Sequence, residues 1–368
     1  MPPNPADPFD PPQRRQIART LSAVESGRAD ADPLLRRAYA LADAPPVVGI
    51  AGPPGAGKST LVDRLAFWWA ERGEQVAVIA IDPSSPHSGG ALLGDRVRME
   101  HAAEHPRVYL RSLASRGQRG GLSRAAQDVV AACGALGFSR VIVETVGGGQ
   151  ADVDVADLAD AVIVVCVPGL GDQVQAGKAG ILEIGDLFAV NKADRVGADL
   201  VVAHLRTSLD LVYPGRSGAN AEPLNYRSAA GGNPALHRRH GRPGEGSFWR
   251  PPVLRTTALE GTGVGELAQA CDDFLAWQRA QGRAQARRDE RLRAHLLRLA
   301  AAQWQRRAAS APGAAVVDDS VRALREGRCA PTQVADELLD AMCRRTSGAQ
   351  GFEPVAPVPV AAQDSPAA

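Results

Sequence analysis

One contiguous stretch narrows the possible folds more than any other: Gly52-Pro53-Pro54-Gly55-Ala56-Gly57-Lys58-Ser59 matches the phosphate-loop pattern G-x-x-x-x-G-K-S/T without a gap. Such a loop works only between a strand and a helix, and both flanks are present. Val47-Val48-Gly49-Ile50-Ala51 reads as a buried strand, and Thr60 to Arg72 reads as a helix with Leu61, Leu65 and Trp68 on one face. The glycines let successive backbone N–H groups converge on an anion at the helix N-terminus, where unpaired donors and the helix dipole both favour negative charge. Lys58 is expected to reach the β- and γ-phosphates, and Ser59 to place its hydroxyl on the Mg²⁺ that bridges them, with Thr60 beside them in the nucleotide site.

The rest of the chain repeats the strand–helix alternation. Strands are expected at 47–52, 75–82, 107–113, 140–145, 161–167, 187–191 and 253–257, with helices at about 58–72, 95–105, 121–136, 175–185 and 198–211. This order predicts an α/β fold, a P-loop NTPase with a mostly parallel sheet covered by helices on both faces. Residues 1–12 hold six prolines and are expected to be disordered, and two short helices, Gln13 to Glu25 and Pro33 to Ala42, form an N-terminal prefix within 13–45. The nucleotide domain is expected over 46–265, with 214–252 read as a flexible, Gly- and Pro-rich insertion. Helices from Leu267 to Gln281, Ala284 to Arg307, 316–326 and 331–343 make a C-terminal region at 266–345, before a disordered tail at 346–368.

Charge excludes some partners. With 42 basic against 41 acidic residues in 368, the chain has no global field to attract nucleic acid or a membrane surface. The nine arginines from Arg279 to Arg307 lack interleaved stacking aromatics, which favours a solvated helix face over a nucleic-acid stripe. Five scattered cysteines without a C-x-x-C pair suggest reduced thiols and a cytoplasmic setting. No secretory leader or membrane-length apolar run is evident.

The strand ends carry the chemistry. Asn191-Lys192-Ala193-Asp194 follows the strand Leu187 to Val190 and fits the N-K-x-D pattern that selects guanine. A carboxylate at Asp194 can accept from guanine N1–H and the 2-amino group, donors that adenine does not offer there. Asn191 is expected to bond the base edge or to hold the phosphate loop, and the Lys192 stem to lie along the ring. Thr256-Thr257-Ala258-Leu259, after the last strand, is expected to close over the base, which brings Thr257, Ala258 and Leu259 into the site. Asp82 and Glu144 end two strands and suit a magnesium- or water-coordinating carboxylate, and Gly147 offers an N–H to the γ-phosphate. Asp95 follows the flexible Gly89-Gly90 pair and could swing onto the metal. Each of these three carboxylates also fits an ordinary helix cap or strand end.

Taken together, the phosphate loop, Asp82-Pro83-Ser84-Ser85, Gly94-Asp95-Arg96, Glu144-Thr145-Val146-Gly147, Gly149-Gln150, Pro168-Gly169, Gly171-Asp172 and Asn191-Lys192-Ala193-Asp194 resemble the MeaB/ArgK G-proteins over roughly Gln13 to Trp304. The resemblance implies a homodimeric GTPase, held largely by the helices between Leu267 and Arg307 in a dimerisation region at 266–345, that binds GTP or GDP with Mg²⁺ and acts as metallochaperone to an adenosylcobalamin-dependent acyl-CoA mutase such as methylmalonyl-CoA mutase. It also implies an adenosyltransferase as a further partner. Within it, Ser59, Asp82, Asp95 and Glu144 surround the metal and attacking water. Gly169 to Lys178 matches a third switch loop, which makes Lys178 either a cation driven toward the phosphates by the mutase or a solvated helix-start lysine. Two other classes compete: a kinase acting on a transport protein, which would need a base for an acceptor hydroxyl, and a GTPase for nickel insertion, which would usually carry a His- or Cys-rich store.

Overall fold

The computed structural model of the chain describes residues 9–82, 99–114, 124–145, 150–169, 182–212, 240, 248–326, 328, 330–333 and 335–336. Its strands are β1 (Val47–Ala51), β2 (Val76–Asp82), β3 (Val108–Ala114), β4 (Arg140–Thr145), β5 (Ala161–Cys166), β6 (Leu187–Val190) and β7 (Val253–Arg255). Every neighbouring pair is parallel, and the order across the sheet is β3-β2-β4-β1-β5-β6-β7. All seven expected strands are present, with ends within two residues of those expected.

Parallel strands covered on both faces need no polar side, so their sequences are continuous apolar runs whose alternate residues enter different cores. In β1, Val47 and Ala51 join one core while Val48 and Ile50 join the other, and in β4 Val141 and Val143 separate from Ile142 in the same way. The first core gathers Leu21 and Val24 of α1 (Pro11–Glu25), Val129 and Cys133 of α5 (Arg124–Ala135), Val155 of α6 (Gln150–Leu158), and Val202, Leu205 and Leu209 of α7 (Ala198–Val212). The second gathers Leu61, Leu65 and Trp69 of α3 (Lys58–Ala70), Ala102 of α4 (Glu100–Glu104), and Leu267, Cys271 and Phe274 of α8 (Val264–Ala280). The helix α2 (Asp32–Tyr39) completes the N-terminal prefix, and Arg14 ties that prefix to the sheet through the carbonyls of Pro106 and Val108.

Four expectations need correction. The N-terminal prefix begins earlier than expected, because Asp10 closes a capping box with Gln13 and starts α1 at Pro11, while Phe9 is buried against Phe138 with ring centroids 4.8 Å apart. Helix α6, between β4 and β5, was not anticipated from the sequence. Its apolar pattern is short and Asp-rich, and its burial comes from the close approach of β1: a Cβ at Gly49 would lie 2.4 Å from Val155 Cγ1. The span 214–252 is not wholly a surface insertion. His240 is fully buried, and Trp249 lies 5.0 Å from Phe274 in an aromatic group with Trp277. Finally, the helix expected to open the C-terminal region belongs to the nucleotide domain, since α8 lays its apolar face on the second core.

The chain forms two compact units, Met1–Arg293 and Ala294–Ala368. The helix α9 (Arg283–Ala309) runs through the boundary, and the second unit continues into α10 (Ala311–Arg325). The second unit leaves Leu296, Leu297 and Val321 exposed. Along α9, His295 is buried while Leu296 is exposed. Among the described residues no helix is long and apolar enough to cross a membrane.

Candidate functional site at the carboxyl ends of the strands

In a parallel sheet the loops that follow the strands gather at one edge, and a ligand crevice forms where neighbouring connections diverge. Here β1 is flanked by β4 and β5, and the phosphate loop leaves β1 at that point. Local backbone demands explain its glycines. Gly52 has φ 139° and a Cβ there would lie 2.4 Å from the Val165 carbonyl oxygen, while Gly57 has φ 84° and a Cβ there would lie 2.5 Å from Asn191 Nδ2. Pro53, Pro54 and Gly55 form the outer curve, and Ala56 is fully buried beneath it.

Lys58 opens α3 and is buried, and its ammonium donates to the carbonyls of Gly52 at 2.9 Å and Pro53 at 3.1 Å. The cation is thus strapped along the inside of the loop. Ser59 Oγ donates to Glu144 Oε1 at 2.7 Å, and Glu144, at the end of β4, is only 3% exposed. A hydroxyl and a carboxylate brought together in a buried setting form a hard-oxygen donor pair of the kind Mg²⁺ takes alongside phosphate oxygens. Among the described residues no group of three or more His, Cys, Asp or Glu side chains converges as a metal cage. Thr60 follows in the first turn of α3 and is partly buried. Asp82 is the last residue of β2, beyond β4 from the phosphate loop. Asp95, Gly147 and Lys178 lie outside the described residues.

The sequence left Asn191 two roles, and the geometry favours the second. Its Nδ2 donates to the Ala56 carbonyl at 2.8 Å, and its Oδ1 accepts from the Ala258 N–H at 3.1 Å and from Thr256 Oγ1 at 3.3 Å. At 2% exposure it is a clamp between the phosphate loop and the loop after β7. Lys192 sits at φ 55°, a left-handed conformation costing a non-glycine residue roughly 1–2 kcal/mol. Its ammonium donates to the Gly55 carbonyl at 2.8 Å, so the side chain lies across the phosphate loop. Asp194 is exposed, and Leu259 is 78% exposed beside the buried Ala258. Thr257 and Thr262 pair across the turn, the Thr257 N–H donating to the Thr262 carbonyl at 2.9 Å.

Two residues at this edge escaped the sequence. Asp152 of α6 is 4% exposed, and its Oδ1 accepts from the Gly52 N–H at 3.2 Å and from Thr145 Oγ1 at 3.4 Å, joining the start of the phosphate loop to the end of β4. Its one sequence signal is its place two residues after Gln150. Arg64 of α3 donates to the carbonyls of Ala258 and Leu259. Nothing local in the sequence signals that contact, which spans more than 190 residues.

The family model described as "Methylmalonyl Co-A mutase-associated GTPase MeaB" matches residues 17–313. A Pyrococcus abyssi protein named as a GTPase is 41% identical over 279 residues, covering 76% of this chain and 78% of that protein. The mouse protein named methylmalonic aciduria type A homolog, mitochondrial, is 34% identical over 290 residues, covering 75% of this chain and 63% of that protein. A crystal structure described as a LAO/AO transport system kinase has the same fold, with TM-score 0.59 and 24% identity over 90% of this chain and 93% of that one.

Proposed function

Given that the chain belongs to the MeaB family and is a GTPase that turns GTP and water into GDP and phosphate, we propose that it gates adenosylcobalamin loading of a B12-dependent acyl-CoA mutase and protects or reactivates that enzyme. The observation that carries the catalytic half is the Ser59–Glu144 hydrogen bond beside a strapped Lys58. The family description and the name of the mouse relative support the mutase half.

In this reading Lys58 moves from the loop carbonyls onto the β- and γ-phosphates, and its charge offsets what develops on the transferring phosphoryl group. Ser59 and Glu144 hold Mg²⁺, with Asp82 and Asp95 joining them. When bound, the ion neutralises phosphate charge and polarises the γ-phosphoryl group. Gly147 donates its N–H to the γ-phosphate, and Asp194 selects guanine while Asn191 fixes the loops around it. The segment from Gly169 to Lys178 answers to the mutase, and Lys178 adds a cation when the partner engages. An adenosyltransferase completes the delivery route. The protein acts as a homodimer, and its interface falls within Arg283 to Arg307, because Leu267, Cys271, Phe274 and Leu275 of α8 are already buried in the second core.

The test mixes the purified protein with methylmalonyl-CoA mutase and follows phosphate release from GTP. We expect the mutase to accelerate hydrolysis and the protein to slow cofactor loss from the mutase during turnover. Hydrolysis indifferent to this mutase and to other acyl-CoA mutases would remove the chaperone role.

A further inference from the structure

We propose that Arg64 is a positioning residue for guanine nucleotide binding: from the helix that follows the phosphate loop, it sets the conformation of the loop after β7. The inference rests on the base reading of Asp194 and of residues 256–259. Arg64 lies on the second turn of α3, six residues after Lys58, and shares a helix face with Trp68 four residues on. That face meets the start of α8, where a Cβ at Gly265 would lie 3.0 Å from Trp68 Nε1. Between β7 and α8 the chain has little freedom, since Gly263 has φ 74° and a Cβ there would lie 2.1 Å from the Arg255 carbonyl oxygen. Arg64 spans the remaining gap with two donors of one planar fork: Nε to the Ala258 carbonyl at 3.2 Å and Nη2 to the Leu259 carbonyl at 2.7 Å.

The consequence follows from peptide geometry. The Ala258 N–H is already held by Asn191 Oδ1, so with its carbonyl held by Arg64 and by the Gly261 N–H at 3.3 Å this residue is fixed on both sides. In a planar trans peptide the carbonyl and the following N–H point in opposite directions. A carbonyl drawn toward α3 therefore turns the Leu259 N–H away from α3, and among the described residues no group of the chain accepts it. Arg64 thus presents a backbone donor to a ligand while Asp194 presents an acceptor. It also makes α3 a common support, with its N-terminus under the phosphates and its second turn under the base loop. The guanidinium suits this task because its rigid fork can hold two neighbouring carbonyls at once, whereas an ammonium is a single point of contact.

Full-length Arg64→Ala, Arg64→Gln and Arg64→Lys proteins test the proposal by the dissociation rate of N-methylanthraniloyl-GDP and by steady-state GTP hydrolysis, alongside thermal unfolding. Losing a charge-assisted pair of hydrogen bonds at a partly exposed position is expected to raise both the KM for GTP and the dissociation rate about tenfold in Arg64→Ala. The change in kcat is expected to be much smaller, and Arg64→Lys should recover part of the loss. If Arg64→Ala fails to fold, Arg64→Gln carries the same expectation in weaker form. A folded variant with native KM and dissociation rate overturns the inference, as does a fall in melting temperature with no change in either constant. Asp194→Asn, assayed with GTP and xanthosine triphosphate, separates the two levels. Failure to exchange guanine for xanthine preference overturns the base reading and the inference with it, whereas a successful exchange alongside native Arg64 variants overturns the inference alone.

Discussion

At the carboxyl ends of β1, β4 and β6, the polar side chains Lys58, Glu144 and Asn191 hold loops, while at the amino ends of β5 and β6 two buried aspartates hold strands. Asp160, just before β5, donates its N–H to the Val47 carbonyl at 2.7 Å and accepts the Val47 N–H on its carboxylate at 2.9 Å. Asp186, just before β6, repeats the pattern on Val162, with N–H to carbonyl at 2.9 Å and carboxylate to N–H at 2.8 Å. In each case a side-chain oxygen extends the parallel ladder where the neighbouring strand has an N–H and no strand carbonyl faces it. Arginines of α9 then serve Asp160: Arg291 donates to Oδ1 at 2.5 Å, and Arg287 donates to the backbone carbonyl at 2.8 Å. Asp186 instead meets His240 Nε2 at 2.8 Å, and its carbonyl accepts from Trp249 Nε1 at 3.0 Å.

The contrast shows two uses of the same residue types. At the amino edge, polar groups pair with the chain's own backbone and with cations from distant segments, and the result is a sealed end. At the carboxyl edge, polar groups pair with loop carbonyls and leave Asp194 exposed. Three arginines that the sequence assigned to a solvated face, Arg287, Arg288 and Arg291, are tethers instead, with Arg288 reaching the Ala44 carbonyl at 2.8 Å.

If the edges are separate in function, damage to one should spare the other. The largest effect is expected for Lys58→Ala, which should lower kcat/KM for GTP by about 10²–10³-fold while shifting the melting temperature by only about 2 °C. Phosphate release and calorimetry on the same sample check both halves, and a large loss of stability would erase the contrast.

Next comes Asp160→Ala, which leaves two arginines and the Val47 N–H facing no carboxylate and should destabilise the fold by about 3 kcal/mol. Urea unfolding reads the loss, and the KM for GTP should stay within about twofold. This site also has a pH signature. Burial alone would raise the Asp160 pKa, but Arg291, Arg288 and the hydrogen bonds from Arg291 and Val47 together hold it below the ordinary 3.8. As pH falls the unfolded chain binds this proton first. The stabilisation is therefore complete above the ordinary value and drains away as pH drops toward the folded one. Asp160→Ala should flatten that acid limb, and an unchanged limb would place the titration elsewhere.

The smallest effect is expected for His240→Ala. It removes a buried hydrogen bond to Asp186 while Val162 still donates to that carboxylate, so about 2 kcal/mol should be lost without change in GTP hydrolysis. A variant as stable as the parent would return residue 240 to the surface insertion that the sequence suggested.

The buried thiols show how the tertiary structure changes a reading made from spacing alone. Cys133 and Cys166 are spaced like ordinary free thiols, yet burial pushes both up to about 12, and burial raises Cys271 as well. Their inertness comes from the cores around them and could not be read from their positions in the chain. The same holds for α6, whose helix is legible only once Gly49 is seen to admit Val155.

The phosphate loop, the seven strands and the N-K-x-D segment are legible in the chain, because each depends on neighbours within a few residues: glycines at forced backbone angles, apolar runs of strand length, a helix start after Gly57. Folding alone brings Asn191 between Ala56 and Ala258, Arg64 onto the loop after β7, and His240 and Arg291 onto the amino edge. Those pairings join residues separated by 54 to 195 positions. A hydrogen bond across such a separation leaves no period or spacing in the chain, since its geometry exists only after the sheet has brought the partners together.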